Sequence, residues 1–485
     1  MRSLARAREG LATNTGHDQA RERLVNQYAA MPAGSHIRLT KRTSNLFRSR
    51  ERSSNPGLDA SGLDRVLSVD PVSRTADVQA MTTYERLVDA TLAHGLMPLV
   101  VPQLKTITIG GAVTGLGIES SSFRSGLPHE SVRELEILTG AGEVVVAGAE
   151  GRHRDLFRAF PNSYGTLGYA LRLVIDLEPV HPFVRLRHVR FPNLEALSDA
   201  VSDIVAASAF DGEPVDFLDG TVFGIDDAYL TLGSWADTAP YTSDYTGGQI
   251  YYRSIRSRDT DYLTVRDYLW RWDTDWFWCS RAFGAQNRVV RALWPKRWLR
   301  SDVYAKLVRW ESRYQVTARL DSWRGKPRRE RVVQDVEIPL ARTAAFLRWF
   351  LREVPIVPLW LCPLRLRGTG GTDGTDVTTA MTDTLAQRDG GPWPLYPLHP
   401  DQTYVNVGFW STVPIAAGAR DGQVNRRIEK AVAQHNGHKS LYSESYYSPE
   451  EFWALYGGAA YREVKARYDP GSRLLDLYEK AVGRQ

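Results

Sequence analysis

The sequence predicts an α+β protein: a first part alternating strands and helices, then a second part built on an antiparallel sheet. Hairpin signals recur early: 63–69 against 75–79 across Asp70-Pro71, and 132–138 against 144–147 across a Gly140-Ala-Gly-Glu143 turn. Helical periodicity lies between them, with Leu87, Val88 and Leu92 on one face behind Thr82 and Thr83 as caps. New strand patterns begin after Glu178-Pro179, which sets a boundary there. The chain has 485 residues; at ~100–200 residues per domain that is room for two or three cores.

In order, residues 1–20 are expected to be flexible, and 18–31 reads as a helix with Leu24, Val25 and Tyr28 inward. A strand at 37–39 and a polar loop at 48–62 follow. Residues 81–98 read as a helix with Glu85 in its first turn and Gly95 as a stop. Residues 155–160 form a short helix and 169–177 a strand. In the second part, 183–192 is a strand and 193–207 a helix. Segments 215–218, 221–223 and 228–232 are strands of a new sheet. Strands at 332–338 and 354–367 flank a helix at 341–351, and 368–391 is a Gly/Thr/Asp-rich loop. A strand at 405–410, a helix at 426–434, an aromatic strand or loop at 441–447 and helices at 449–455 and 460–468 complete the chain. The domains expected are 1–20, 21–178, 179–420 and 421–485.

The segment 106–122 holds Gly110, Gly111, Gly115 and Gly117 with hydroxyls on both sides. Without Cβ atoms the backbone can turn sharply and press N–H groups against a ligand. Successive N–H groups and small hydroxyls make a concavity suited to a diphosphate. A glycine-rich turn in a β-rich domain is the alternative. The order G-G-x-x-x-G-x-G is neither the dinucleotide fingerprint nor a P-loop, which needs lysine after its last glycine.

These residues carry a family resemblance. The run from Thr108 to Ser122, Asp155-Leu-Phe157 and Tyr164-Gly-Thr-Leu-Gly168 resemble the FAD-binding (PCMH-type) domain of the vanillyl-alcohol-oxidase flavoproteins. With Val332-Val-Gln-Asp335, Pro358-Leu-Trp-Leu-Cys-Pro363 and Glu451-Phe-Trp453, the chain is most similar to the sterol Δ24-reductase branch. The resemblance implies a two-part FAD-binding domain, then a substrate (cap) domain with an antiparallel sheet and a C-terminal segment completing the site. It implies cofactor contacts at Thr108, Gly110, Gly111, Thr114, Gly115, Gly117, Ile118, Glu119, Ser120 and Ser121, with Thr166 and Gly168 closing the site. Many members tether FAD through a histidine in an early glycine-rich loop. The corresponding region, from His36 to Asn45, has no glycine after Gly34, and its loop proper, 41–45, has no histidine, so the FAD is expected to be non-covalent. Lys41, Arg42, Thr43 and Ser44 are candidate phosphate contacts; a solvated Lys41-Arg42 pair is the alternative.

The branch reduces an isolated lipid double bond with NADPH. Flavin carries the hydride chemistry; the chain must supply an acid and a dry cavity. Candidate acids are Tyr442, Glu444 and Tyr446, with Tyr404 or Asn406 as orienting group. Two substrates fit: a sterol side chain, and a 10-methylene fatty acyl chain on a phospholipid, as in actinobacterial lipid synthesis. The Arg/Ala-rich, lysine-poor composition resembles that of a bacterial protein from a GC-rich genome and favours the acyl lipid; a methyltransferase that makes the methylene group is then a partner. A sugar or lactone alcohol oxidase, and a flavin- or lipid-binding protein without turnover, stay open.

Composition bounds these readings. Hydrophobic content is 43%, charged content 24% and net charge +5, ordinary for a globular protein and mildly basic. No nucleic-acid-binding motif is present. Two distant cysteines and scattered histidines give no disulfide framework and no metal spacing, which fits the cytoplasm. No secretory signal, membrane span or N-terminal anchor is read. Trp270, Trp272, Trp276, Phe277, Trp278, Trp294 and Trp298 alternate with Arg271, Arg281, Arg288, Arg291, Lys296, Arg297 and Arg300. That pattern suits either the inner face of a membrane or an aromatic packing cluster with exposed arginines.

Overall fold

The computed structural model describes residues 2–41, 46–48, 56–314, 323, 327–367, 393–416 and 418–483. Arg42, Thr43, Ser44 and the loop at 368–391 lie outside the described residues.

Two sheets organise the chain. The first has the order Val66–Asp70, Thr75–Gln79, Gly168–Pro179, Val132–Thr139, Val144–Gly148, with Leu96–Pro98 also paired to Gly168–Pro179; every pairing is antiparallel. Both hairpins read from the sequence are here. Helices Tyr84–Leu92, Ile109–Gly115 and Arg154–Ala159 contribute Leu87, Val88, Ile109, Val113, Leu156 and Phe157 to its core.

The second sheet runs Thr260–Thr264, Phe183–Phe191, Asp227–Ala236, Phe217–Gly224, Leu359–Leu364, Tyr404–Pro414, Arg329–Pro339, His438–Lys439. Side chains alternate across a strand, and here the alternation separates two cores. Val332, Val336, Ile338, Val405, Val407, Phe409, Leu359 and Leu361 pack under helices Leu194–Ala207, Leu340–Glu353 and Gln423–Gln434. Trp360, Cys362, Tyr404 and Trp410 join the core that reaches the first sheet.

Several expectations are corrected. The helix expected at 18–31 is longer and spans Arg2–Ala29. Ala20, Leu24 and Tyr28 bury its C-terminal half against Leu138 and Leu171, and the Ala/Arg/Glu-rich residues before them are good helix formers. The helix expected at 81–98 covers only Tyr84–Leu92, because Gly95 turns at φ 69° and buried Leu96–Pro98 pairs with the sheet. The loop at 48–62 contains a strand, Gly57–Asp59, parallel to Arg38–Thr40. The strands expected at 215–218 and 221–223 are one, Phe217–Gly224. The chain after 421 is not only helical, since His438–Lys439 extends the second sheet.

The tryptophan-rich stretch is mainly a packing cluster. Trp270, Trp272, Trp276, Phe277 and Trp278 are buried, Trp294 partly so, and Trp298 is exposed. Its arginines are not uniformly exposed either: Arg271, Arg291 and Arg300 pair with Asp219, Asp275 and Glu85.

Candidate active site

Between the two sheets lies a cavity of about 380 Å³. One wall is backbone-rich and comes from the first part: Thr108, Gly110, Gly111, Thr114, Gly115, Leu116, Gly117, Ile118 and Gly168. Its local fold follows from Thr108, whose hydroxyl caps a helix over Ile109–Gly115 by accepting from Gly111 N at 3.1 Å. The N–H groups of Ile109 and Gly110 donate to Thr82 O and Ala80 O, each at 2.9 Å. The glycines are therefore not simply a row of outward N–H donors. Gly110 is needed for close approach: a Cβ there would lie 2.8 Å from both Cβ and O of Ala80. Thr114 Oγ1 donates back to Gly110 O at 2.7 Å, and Tyr164 OH donates to Gly115 O at 2.8 Å.

The facing wall is aromatic: Phe47, Trp276, Phe277, Trp360, Trp410 and Tyr442. The rings form one contiguous set. Phe47 stacks on Trp276 (5.3 Å) and meets Tyr442 edge-on (5.8 Å); Trp410 Nε1 donates to Tyr442 OH (3.0 Å); Phe277 stacks on Trp410 (4.2 Å) and contacts Trp360 (5.4 Å). Into this wall points Asp335. Register puts Asp335 opposite Gly408, and Gly408 opposite Trp360. A side chain at 408 would meet the Asp335 carboxyl and the Trp410 ring, so glycine keeps a gap there.

Asp335 keeps accessible surface although protein surrounds it, because that surface faces the cavity. Burial pushes its pKa up to about 7, partly opposed by hydrogen bonds from Asn406 and Tyr442. Asn406 Nδ2 donates to Asp335 Oδ1 at 3.4 Å. Burial also holds the Tyr442 phenol well above its ordinary value, and the nearby Asp335 adds to the shift.

Of the residues expected at the cofactor, Lys41, Thr108, Gly110, Gly111, Thr114, Gly115, Gly117, Ile118 and Gly168 line the cavity; Glu119, Ser120, Ser121 and Thr166 do not. Glu119 turns to Arg271 (3.3 Å), which also holds Asp219 (2.9 Å), and burial raises the Glu119 pKa against the pull of that arginine. Ser120 Oγ bonds Glu119 and Tyr268, and Ser121 Oγ donates to Leu99 O, all at 2.7 Å. Thr166 Oγ1 donates to Ser163 O. Of the acid candidates, only Tyr442 lines the cavity. Glu444 accepts from Tyr446 OH (2.8 Å), Tyr404 OH donates to Gln402 (2.9 Å), and Asn406 reaches the site only through Asp335. Sequence reasoning missed Asp335, Trp360 and Trp410 as wall residues; the strand Arg329–Pro339 carries Glu330, Asp335 and Glu337, so the sequence offered no signal that singles out Asp335.

The cavity fits FAD. Arg38, Lys41 and Lys480 line it against the single carboxyl of Asp335, which suits a diphosphate. Close-packed glycines and a sheet of rings suit a flat tricycle. Four lining residues, Leu116, Tyr164, Trp276 and Phe277, hold φ between 46° and 61°, conformations that cluster at ligand sites.

Comparison with known proteins agrees. Residues 32–148 match the FAD binding domain family. The chain is 25% identical over 455 residues to a Δ24-sterol reductase of Arabidopsis thaliana, covering 87% of this chain and 76% of that one. It is 24% identical over 430 residues to the human Δ24-sterol reductase, covering 86% and 75%. A decaprenylphosphoryl-β-D-ribose oxidase of Mycolicibacterium smegmatis is 36% identical over 123 residues, 25% of this chain and 26% of the oxidase. The chain is thus a flavoprotein oxidoreductase with a PCMH-type FAD-binding domain, similar over most of its length to the Δ24-sterol reductases.

Proposed function

We propose that the protein reduces an isolated carbon–carbon double bond in a lipid, with NADPH as reductant and a 10-methylene fatty acyl chain on a phospholipid as substrate. The observation that carries this reading is the aromatic wall: Phe47, Trp276, Phe277, Trp360, Trp410 and Tyr442 line the cavity with a single carboxyl among the described residues, Asp335. Such a wall suits an apolar chain and gives a polyhydroxylated ring few partners. Similarity along most of the chain to proteins named Δ24-sterol reductase supports it, and a sterol side chain is the nearest alternative substrate.

An isolated alkene has no carbonyl to accept hydride. Reduction therefore needs a proton at one carbon and a hydride at the other, and a branched carbon bears the positive charge best. FAD supplies hydride transfer when bound. This chain's residues would bind its diphosphate beside Arg38, Lys41 and Lys480, pack its ring against the glycine wall, and exclude water with the aromatic wall.

The same proposal has the protein meet its lipid at an anionic membrane surface. Val289 (69% exposed), Leu293 (80%) and Trp298 (48%) stand beside exposed Arg288, Lys296 and Arg297, the apolar and basic pairing that favours anionic lipid. No helix among the described residues is long and apolar enough to cross a membrane.

Lipid mass spectrometry of cells with and without the gene tests the function. Accumulation of a methylene acyl lipid without the gene is expected; an unchanged lipid profile removes the reductase reading. The partial match to a ribose oxidase favours a second reading, oxidation of a sugar-bearing lipid. Oxygen uptake without NADPH consumption by the purified protein would select it.

A further inference from the structure

We propose that Asp335 is the proton donor for this reduction, its carboxylic acid delivered to the alkene from the aromatic wall, with Tyr442 and Asn406 as its positioning residues. The inference rests on the reductase reading. Asp335 is the only carboxyl among the described residues lining the cavity. It lies across the strand pair from Gly408, whose missing side chain leaves the carboxyl and the Trp410 ring room, and Gly408 pairs with Trp360 on its other side.

Acid strength separates the candidates. Protonating an unpolarised alkene demands a strong acid that is still protonated at working pH. The Tyr442 phenol is held well above 10 and is too weak. A surface carboxyl would be ionised and useless. Asp335, held near 7 by burial, retains its proton near neutrality and remains a far stronger acid than the phenol.

Its surroundings keep it so. Its direct partners, Asn406 and Tyr442, are neutral. Glu337 on the same strand is raised well above its ordinary value by burial and by Asp335 itself; Cys362 and Tyr164 are raised too. Lys439, across the strand pair, gives its ammonium to Glu429 at 2.8 Å. None of these groups neutralises the Asp335 carboxylate.

In the step, the Asp335 O–H bond breaks and a C–H bond forms at one alkene carbon. The hydride for the other carbon would be supplied by FAD held in the cavity, with NADPH, the reductant named in the proposed function, as the source of the electron pair. Water then returns a proton to Asp335. Tyr442, donating to the carboxylate, stabilises it as the proton leaves.

The test uses FAD-loaded wild type, Asp335→Asn and Tyr442→Phe. Infrared titration should show a protonated-carboxyl band that fades near pH 7 in wild type and is missing in Asp335→Asn. In Tyr442→Phe its midpoint should move to higher pH, because a bond favouring the carboxylate is lost. Turnover is probed with 10-methyleneoctadecanoyl phosphatidylglycerol vesicles and with a 24-unsaturated sterol. Asp335→Asn should lose ~10²–10⁴-fold in turnover, with unchanged flavin reduction by NADPH. Wild-type turnover should fall as pH rises through about 7. Persistence in Asp335→Asn of the band that titrates near pH 7, as distinct from bands of other buried carboxyls such as Glu337, or turnover within threefold of wild type, overturns the proposal. If wild type reduces neither probe, the lipid reading fails on its own and the infrared band still decides whether Asp335 holds the proton.

Discussion

Arg271→Met would test what joins the two halves of the chain beneath the cavity. Arg271 is fully buried, with its guanidinium 2.9 Å from Asp219, 3.3 Å from Glu119 and 4.0 Å from the Tyr268 ring centroid. Trp272 and Trp360 add indole N–H bonds to Asp219 at 3.3 Å each. Removing the cation leaves two buried carboxyls near each other without their counter-charge. Breaking a buried pair by deleting one partner costs ~3–5 kcal/mol. The cost must depend on pH. Burial already raises the Glu119 pKa against the pull of Arg271, and without the guanidinium it rises further. A raised carboxyl contributes stability below its unfolded pKa and loses it as pH climbs through the folded one. The variant should therefore lose most at pH 8 and recover on the order of 1–3 kcal/mol at pH 5, since each tenfold change in acidity is worth ~1.4 kcal/mol. Urea unfolding followed by tryptophan and flavin fluorescence at both pH values measures this. Adding Asp219→Asn should return part of the loss at pH 8. A cost below ~1 kcal/mol with no pH dependence would mean that the triad is solvated and the halves are joined by other contacts.

Two further outcomes follow from the walls and the surface. In Gly117→Val the new Cβ would lie 2.9 Å from Pro102 Cγ and 3.2 Å from Pro128 Cγ, ring atoms that cannot swing aside. Overpacking of ~1–3 kcal/mol is relieved by pushing the glycine backbone into the cavity, and reversing that shift on binding weakens FAD by up to about 5- to 150-fold, read by flavin fluorescence titration of the apoprotein; unchanged affinity in a folded variant would place the cofactor elsewhere. Leu293→Glu combined with Trp298→Ala should abolish cosedimentation with phosphatidylglycerol vesicles, leaving FAD content intact. Equal binding by wild type and variant, or equal binding to neutral vesicles, would remove the membrane-surface reading.

Local chemistry made much of this legible. The hairpins at 66–79 and 132–148 announce themselves through turns and alternation, and Thr83 and Asn193 cap helices as their neighbours suggest. The glycine segment is recognisable for the same reason. What failed depended on partners distant in sequence. Glu119, Ser120 and Ser121 adjoin the glycines along the chain, yet they face Arg271, Tyr268 and Leu99, which pattern reading cannot see. Tryptophan beside arginine looks alike at a lipid surface and in a core where arginine meets a distant carboxylate. Asp335 is one acid in an alternating strand. Only its register against Gly408 turns it into a cavity group, while Glu444, chosen for its acid type, is spent on Tyr446.

The strained residues show where stability has been given up. Ten non-glycine residues among those described have positive φ, and Leu116, Tyr164, Trp276 and Phe277 all line the one cavity. Such conformations cost ~1–3 kcal/mol each where bulky side chains adopt them. They persist because packing fixes them. Trp276 is stacked on Phe47, and Phe277 lies between Trp272 (4.9 Å) and Trp410 (4.2 Å). Tyr164 is tied at both ends, N to Thr114 O at 2.9 Å and OH to Gly115 O at 2.8 Å. The tie reaches from 164 to the glycine wall, so strain on one segment sets the shape of the other. If the cavity were incidental, relaxed rotations at these positions would have filled it with the indoles and phenol that now border it. Both walls are instead held apart by their own packing, which fits a site whose ring and chain must lie in fixed planes for proton and hydride to reach adjacent carbons.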